Sequence, residues 1–343
     1  MAEHPTPRQM VKGLLQGIAP PRPLFLPIVF STGARVENLP LRAFLGNPTK
    51  ICNAQRQMRS YLRSDGVSCY FDPFLEVEAL GGVLQWTAEN LPPTVQWPHP
   101  AEPGELPEDL RSPEEVATSG RVTVAVDVVR RMAALLRDDS LLMAGVTGPF
   151  TLAARLTQLE IGGAWRAQAL PEAALEVAAE VVTRISGALV EAGASLIVIQ
   201  EDILPALSLE RCAAWASSLE PACNIIRFYE ALPVLLLTDG GAFAANACVI
   251  LQRPWDCLLC PTLQGIPSLA QCTVPEKRSA ALGIALPLES FHLDDSGLAA
   301  CRASLRQTVA ELRPAILTTA GDVPAQTDMK RLIKVLEEVP RGF

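Results

Sequence analysis

The chain has 343 residues, of which 49% are hydrophobic and 19% charged, and its formal net charge is −8. This apolar content excludes a disordered chain, and an acidic chain without a basic stripe is not expected to bind nucleic acid. The N-terminus, Met1–Gln9, is too polar for a signal peptide, and the apolar run Leu24–Phe30 is too short to cross a bilayer, so we expect a cytoplasmic protein with no membrane partner.

Short apolar runs alternate with longer helical patterns along the chain. The predicted strands are Leu24–Phe30, Val67–Phe71, Leu141–Val146, Leu196–Gln200, Val234–Thr238, Cys257–Cys260, Leu282–Leu286 and Ala315–Thr319. The predicted helices are Pro40–Leu45, Pro48–Arg63, Thr123–Leu136, Ala169–Ala192, Leu207–Leu232, Leu298–Leu312 and Asp328–Glu338. Eight strands alternating with helices predict an α/β protein, a (β/α)8 TIM barrel that forms a single domain over residues 1–343. A doubly wound open sheet is the alternative.

The segment Asn90–Ser112 interrupts this alternation because it is dense in proline and carries Trp97 and His99. Just before it, Val83–Trp86 has the pattern of a hairpin arm. We interpret the proline-rich segment as an ordered surface excursion, which is either an inert loop or a lid over a site.

Barrel enzymes carry their catalytic residues at the C-terminal ends of the strands. The candidates that follow the predicted strands in this chain are Ser31, Arg35, Asp72, Arg155, Glu201, Asp202, Asp239, Gly240, His292 and Gly321. Carboxylates with two arginines are suited to acid–base chemistry or to binding a carboxylate. Asp72 precedes a proline, which disfavours helical geometry, so it is either a pocket carboxylate or a turn residue.

A metal site is not expected. Cys257 and Cys260 form a C-x-x-C pair, but residues three apart on a strand point to opposite faces, so we interpret them as core residues. The nine cysteines are irregularly spaced, which argues against a disulfide framework. The three histidines are too few for a multi-histidine site, and His292 alone is placed for an active site. Arg56, Arg59 and Arg63 share a helix face, which is either an anion patch or a solvated surface.

Five segments resemble the uroporphyrinogen decarboxylase family. They are Phe71–Gly81 (FDPFLEVEALG), Gly148–Ala153 (GPFTLA), Glu191–Ala194 (EAGA), Thr319–Pro324 (TAGDVP) and Gly33–Arg35 (GAR). The first is similar to the family segment that carries a catalytic aspartate, and it aligns that aspartate with Asp72. The resemblance implies a barrel and a homodimer that needs no cofactor. In the implied chemistry, the aspartate stabilises a protonated pyrrole and an arginine binds a substrate carboxylate.

The chain departs from the family pattern at four positions. Of two signature arginines only Arg35 remains, and Ser31 occupies the first position. The family's tyrosine falls on Arg155, its serine after the fourth strand falls on Asp202, and its late histidine falls at or beside Gly321. One charge-assisted hydrogen bond is worth roughly 1.5–3 kcal/mol. Losing an arginine and gaining an aspartate therefore predicts a less anionic substrate than the family's tetrapyrrole.

The related methyltransferases of the superfamily bind zinc through a His-x-Cys pair after the fifth strand and a late cysteine. Here those positions hold Thr238, Asp239 and Gly240, with Gly321 or Asp322 at the late position, so the zinc site is absent as the family builds it. Gly240-Gly241 either lets a substrate approach the backbone or forms a tight turn.

The leading prediction is decarboxylation of, or proton chemistry on, a small-molecule carboxylated substrate such as a tetrapyrrole or a related ring. Asp72 is the predicted acid and Arg35 the carboxylate anchor, without a cofactor. The predicted substrate-binding residues are Ser31, Arg155, Glu201, Asp202, Asp239, Gly240, His292 and Gly321. One alternative is a zinc-independent methyltransferase that acts with a corrinoid protein partner. The other is a catalytically silent binding protein.

Overall fold

The computed structural model describes residues 5–99, 101–136, 139–161, 164–165, 170–239, 245–246, 250, 254–261, 280–337 and 339. Eight parallel strands form its central sheet. They are β1 (Leu24–Phe25), β2 (Gly66–Tyr70), β3 (Leu141–Thr147), β4 (Leu196–Glu201), β5 (Leu232–Leu237), β6 (Cys257–Cys260), β7 (Ala281–Leu286) and β8 (Ile316–Thr319). From β2 to β8 each strand pairs with the next in the chain, and β8 pairs with β1. This order is that of a (β/α)8 barrel and not of a doubly wound sheet, which confirms the predicted fold.

The barrel seam lies between β1 and β2, the two ends of the sheet. Hydrogen bonds from side chains replace the backbone ladder there. The predicted strand Leu24–Phe30 is shorter in the structure because Pro27 has no N–H to donate. Ser68 Oγ on β2 donates to the Pro27 carbonyl at 2.9 Å and accepts from the Val29 N–H at 3.3 Å. On the other side, the Ile28 N–H donates to Thr319 Oγ1 at 3.0 Å. Hydroxyl groups therefore bring β1 and β2 together and nearly close the barrel.

Helices surround the sheet. Those with both ends among the described residues are α1 (Pro7–Leu15), α2 (Gly33–Val36), α3 (Leu41–Leu45), α4 (Pro48–Leu62), α5 (Leu75–Ala79), α6 (Val122–Leu136), α7 (Pro149–Leu156), α8 (Glu172–Glu191), α9 (Leu209–Ser218), α10 (Glu220–Phe228), α11 (Asp295–Leu312) and α12 (Met329–Glu337). Two 3-10 helices, Pro113–Thr118 and Leu288–Phe291, add to them. No helix in the described ranges is both long and apolar enough to cross a membrane.

One helix prediction was wrong in detail, and one helix was not predicted. The pattern Leu207–Leu232 predicted one helix, but the structure has α9 and α10, and Leu232 begins β5. The break falls before Pro221, because a proline is accommodated in the first turn of a helix but not in its interior. Near the N-terminus, for which no element was predicted, α1 starts with a capping box at Thr6 and buries Met10.

The described residues of the proline-rich excursion pack against the barrel. Val83–Gln85 and Thr94–Gln96 form an antiparallel hairpin, as the sequence pattern predicted for the first arm. Trp97 is 5% exposed, and the Gly104 N–H donates to the Thr157 carbonyl at 2.8 Å. The excursion is thereby attached to the barrel rim near α7, and its Pro92 reaches the pocket described next.

Candidate functional site

A pocket of about 490 Å³ opens at the C-terminal ends of the strands. Its polar lining consists of Asp72, Thr147, Arg155, Gln200, Asp202, Thr238 and Asp322, and its apolar lining includes Phe71, Phe74, Pro92, Val146 and Leu288. The Phe71 ring packs directly against Gly145. A side chain at residue 145 would clash with it, because a Cβ there would lie 2.4 Å from the ring. The volume lies in the range of pockets for small organic ligands.

Asp72 lies on the pocket wall after β2, held from two sides. Its Oδ1 accepts from the Phe74 N–H at 2.9 Å, and its Oδ2 forms an ion pair with Nη1 of Arg121. The Asp72 side chain is only 3% exposed. Asp72 therefore has both of the roles that the sequence offered as alternatives, because its carboxylate caps a turn and also lines the pocket.

Arg121 connects Asp72 to a second carboxylate. Its Nε donates to Glu78 Oε2 at 2.5 Å, and its side chain is 13% exposed. Burial by itself lowers the pKa of this guanidinium, but Asp72, Tyr70 and Glu78 outweigh burial and raise it. Arg121 is thus a fixed positive charge behind Asp72. Sequence reasoning missed it because it follows no strand and comes directly before α6.

Arg155 and Asp202 form a second ion pair in the pocket lining. Arg155 donates from Nη2 to Asp202 Oδ2 at 2.8 Å and from Nη1 to the Pro73 carbonyl at 2.6 Å. Its guanidinium lies 5.6 Å from the centre of the Phe74 ring. Asp202 Oδ1 also accepts from Gln200 at 2.8 Å. Two departures from the family pattern are therefore partners of each other, and the arginine does not face the site as an unbalanced cation.

Asp322 follows β8 and lines the same pocket. Its two carboxylate oxygens accept from the Ser31 N–H at 3.2 and 3.0 Å, which bridges the ends of β8 and β1. Burial raises the pKa of Asp322 to about 7, with hydrogen bonds from Ser31 and the Phe30 backbone lowering it in part and the charge of Asp72 adding to the rise. The sequence placed Asp322 after the eighth strand together with Gly321, but only Gly321 was among the predicted substrate-binding residues.

Two further carboxylates lie behind the pocket wall. Glu201 is 1% exposed and accepts from the N–H groups of Phe150 and Thr151 at 3.0 and 2.8 Å and from Trp215 Nε1 at 2.8 Å. Glu76 is fully buried against the N–H and hydroxyl of Thr147. Burial raises the pKa of both groups, and their hydrogen bonds lower it in part. Glu201 was predicted to bind substrate. In the structure its carboxylate instead accepts hydrogen bonds from the start of α7 and from Trp215, outside the pocket lining.

The remaining predicted site residues are dispersed. Gly321 lines the pocket, and Ser31 contacts Asp322 through its N–H. Arg35 is exposed on α2 and donates to the Gln326 and Thr327 carbonyls at 2.6 and 3.1 Å, so the geometry does not support it as a carboxylate anchor. The two other predicted residues that the structure describes are exposed and outside the pocket lining, namely Asp239 and His292. Gly240, with Gly241, lies outside the described residues.

The positions at which related methyltransferases hold zinc do not fit a metal here. Thr238 and Asp239 stand where a histidine and its neighbour would, and the late position carries Gly321 or Asp322. Within the described ranges, no group of three or more His, Cys, Asp or Glu side chains is arranged to hold a metal ion. Cys257 and Cys260 are buried thiols within β6, as the strand prediction required.

Comparisons with known proteins agree with this architecture. The fold is similar to a methyltransferase from Methanosarcina mazei, at 17% identity over 97% of this chain and 98% of that chain with a TM-score of 0.73. It is also similar to a B12-independent methionine synthase from Shewanella sp. W3-18-1, at 10% identity over 86% of this chain and 87% of that chain with a TM-score of 0.52. At these identities the likeness shows the fold alone. No curated protein matches the sequence.

A family model described as uroporphyrinogen decarboxylase matches residues 6–242, which is more than half of the chain. The match includes four of the five segments that carry the resemblance, namely Gly33–Arg35, Phe71–Gly81, Gly148–Ala153 and Glu191–Ala194. The chain therefore belongs to the uroporphyrinogen decarboxylase family.

Proposed function

We propose that the protein is a decarboxylase that acts on a small carboxylated ring, with Asp72 stabilising the cation that forms as the ring is protonated. The observation that carries this proposal is the position of Asp72, which lines the strand-end pocket and is held between the Phe74 N–H and Arg121. A carboxylate fixed in this way offers a preorganised negative charge to a developing cation.

The charges around the pocket favour a substrate with one carboxylate over a polyanionic tetrapyrrole. Asp72, Asp202 and Asp322 line the pocket, and the arginine among the lining residues, Arg155, is already paired with Asp202. Each added substrate carboxylate would be placed near these aspartates in a partly desolvated site, where like charges repel strongly. The pocket volume of about 490 Å³ also suits a single ring with one side chain.

CO2 release tests the proposal directly. The substrates would be pyrrole-3-acetate and pyrrole-2-carboxylate, as rings with one carboxylate, and reduced uroporphyrinogen as the polyanionic comparison. We expect turnover of a single-ring acid that falls at least about 10²-fold in Asp72→Ala, the size of effect typical for loss of a positioned charge. Asp127→Asn is the matched control, because Asp127 lies on α6 in an exposed pair with Arg131.

Three outcomes separate the candidate functions. Turnover that survives Asp72→Ala would contradict the role assigned to Asp72. Absence of CO2 release from all three acids would contradict the decarboxylase. Absence of any turnover, with the same compounds still binding, would leave the silent binding protein as the better description.

Methyl transfer is the second candidate, and one observation favours it. Both guanidinium groups at the site, those of Arg121 and Arg155, are engaged by aspartates, which suits a neutral methylated substrate as well as a mono-acid. Incubation with a methylated thiol or amine and a corrinoid protein, followed by detection of methylcobalamin, distinguishes the two reactions. Methyl transfer without CO2 release from any acid would replace the decarboxylase proposal.

A further inference from the structure

Asp322 has a position that the function proposed above does not use. It lies after β8 and lines the pocket beside Gly321. The φ of Gly321 is 137°, a value that suits glycine, and the absence of a Cβ there leaves space in the pocket next to Asp322. The charged groups that share the pocket with it are Asp72 after β2, Arg155 on α7 and Asp202 after β4. Asp322 is therefore positioned to reach a bound ring from a direction different from that of Asp72.

The partners that the structure describes for Asp322 fix its orientation without adding a charge. The Ser31 N–H reaches both carboxylate oxygens, at 3.2 and 3.0 Å. Asp72 and Asp202, by contrast, are each paired with an arginine. Because burial and the nearby Asp72 raise the pKa of Asp322 to about 7, its carboxyl group exchanges its proton near neutral pH. When the environments of neighbouring carboxyl groups differ, their pKa values differ as well. One site can then contain both a proton donor and a carboxylate that stays ionised.

We propose that Asp322 is the proton-transfer residue of this pocket, an inference that rests on the decarboxylase function proposed above. Before the step that Asp322 serves, the ring takes a proton from solvent to give the cation that Asp72 stabilises. The bond between the ring side chain and the carboxylate then breaks, CO2 leaves, and the electron pair moves into the protonated ring, which becomes neutral and leaves a methylene group at the side-chain carbon. The Asp322 carboxyl group donates its proton to that carbon to form the new C–H bond, and the ring returns its added proton to solvent. The resulting Asp322 carboxylate takes a proton from solvent, so the sum is R–COO⁻ + H⁺ → R–H + CO2. No oxidant or cofactor enters this balance.

The first test is independent of turnover. The full-length protein labelled with ¹³C at the aspartate carboxyl carbons is titrated by NMR, comparing wild type with Asp322→Asn. We expect one resonance that titrates near pH 7 in wild type and is missing from the variant. Asp127→Asn should keep that resonance, since Asp127 is an exposed residue of α6. If every aspartate titrates below about pH 5, the proposal is overturned.

The second test follows the proton. In D2O with pyrrole-3-acetate, we expect deuterium in the product and a kcat that falls about 10²–10⁴-fold in Asp322→Asn with a smaller change in KM, as for loss of a general acid. Asp322→Glu should recover part of the rate and shift the pH profile. A kcat and pH profile unchanged in Asp322→Asn would overturn the proposal even if Asp72→Ala is inactive.

Failure of the decarboxylase function can be told apart from failure of this inference. If no acid releases CO2, hydrogen–deuterium exchange into 3-methylpyrrole, the expected product, still reports proton transfer to ring or side-chain carbon. Exchange that depends on Asp322 would support the inference in the absence of decarboxylation. No enzyme-dependent exchange, or exchange equal in Asp322→Asn, would overturn it.

Discussion

Residues of one type have three different environments in this pocket. Asp72 is held by Arg121, whose side chain is 13% exposed, Asp202 by Arg155, whose side chain is 10% exposed, and Asp322 by the Ser31 N–H. Asp72 and Asp202 each contact a guanidinium, whereas the contacts described for Asp322 are uncharged, and burial raises the pKa of Asp322 to about 7. The division of labour that we propose for the site follows from these partners, and each partner can be removed separately.

Removal of Arg121 should be strongly destabilising. In Arg121→Gln, Asp72 and Glu78 would lose a common cation while remaining partly buried, and breaking one side of a buried pair costs about 3–5 kcal/mol. Urea denaturation of wild type and Arg121→Gln at neutral pH would measure this decrease in the free energy of unfolding. Arg131→Gln is the control, because Arg131 is 45% exposed and pairs with Asp127 on the same helix. Exposed pairs of this kind contribute about 0–1 kcal/mol.

The comparison of the two variants has a clear contrary result. If Arg121→Gln lowers the unfolding free energy no more than Arg131→Gln does, then Asp72 and Glu78 are not dependent on the buried guanidinium. In that case Arg121 would be a peripheral residue, and Asp72 would need another source of its fixed orientation.

The site was predictable from sequence only where a residue follows a strand. Asp72, Asp202 and Gly321 were found in this way, because strand ends converge on one face of a barrel. Arg121 was not, since it contacts Asp72 across 49 positions of sequence and lies directly before α6 and not after a strand. The opposite error concerned Glu201, which also follows a strand but points away from the pocket. Position along a strand does not tell which way the last side chain turns.

At the scale of elements, Glu201 joins β4 to the start of α7. The first N–H groups of a helix have no partner within the helix, and Gly148, at the N-cap, has no side chain to offer them. Glu201 takes over this role from the neighbouring strand. A Cβ on residue 148 would lie 2.3 Å from the Glu201 carboxyl carbon, which explains the glycine of the GPFT turn.

Glu201→Gln tests this contact with almost no change of shape. The carboxylate accepts from four donors, namely two N–H groups, the Thr151 hydroxyl and Trp215 Nε1, whereas an amide NH2 would oppose at least one of them. A buried donor without an acceptor costs about 1–3 kcal/mol, so the variant should unfold at correspondingly lower urea concentration. Glu180→Gln on α8, an exposed pair with Arg184, should change stability by less than about 0.5 kcal/mol. Equal effects of the two changes would show that the buried carboxylate does not hold α7.

The elements themselves were largely predictable, and their errors have local causes. Buried parallel strands are continuous apolar runs, so seven of the eight strands agree with the structure to within a few residues. The first strand was overextended because its apolar pattern continues past Pro27, while its backbone pairing does not. The helix over Leu207–Leu232 was predicted as one because apolar spacing continues across Pro221. In both cases a proline decided the boundary against the hydrophobic pattern.

For the whole molecule, closure of the barrel puts Asp322 between its first and last strands. The Ser31 N–H contact with Asp322 and the Thr319 hydroxyl contact with Ile28 both cross from β8 to the segment after β1. The group proposed to transfer protons is therefore also part of the contacts that join β8 to the segment after β1. A site placed in this way couples chemistry to stability, because the burial that raises a carboxyl pKa also opposes its ionisation in the folded state.

This coupling gives a pH dependence with a definite sign. The pKa of Asp322 is raised from 3.8 to about 7, so between these values the folded protein binds more protons than the unfolded chain. The unfolding free energy contributed by this group is therefore highest below about pH 4 and falls as pH rises through about 7. Asp322→Asn removes the ionisation. Its Tm should equal that of wild type near pH 4, exceed it increasingly up to about pH 8, and then stay level.

The raised pKa values of Glu76 and Glu201 act in the same direction, but they are present in both proteins and cancel in the difference. Thermal unfolding of both proteins in one buffer series therefore isolates Asp322. A Tm difference that does not change with pH would mean that Asp322 ionises alike in the folded and unfolded chain. A variant more stable above pH 7 yet slower in turnover would show that the barrel gives up stability between β8 and the segment after β1 to keep a carboxyl group that exchanges protons near neutral pH.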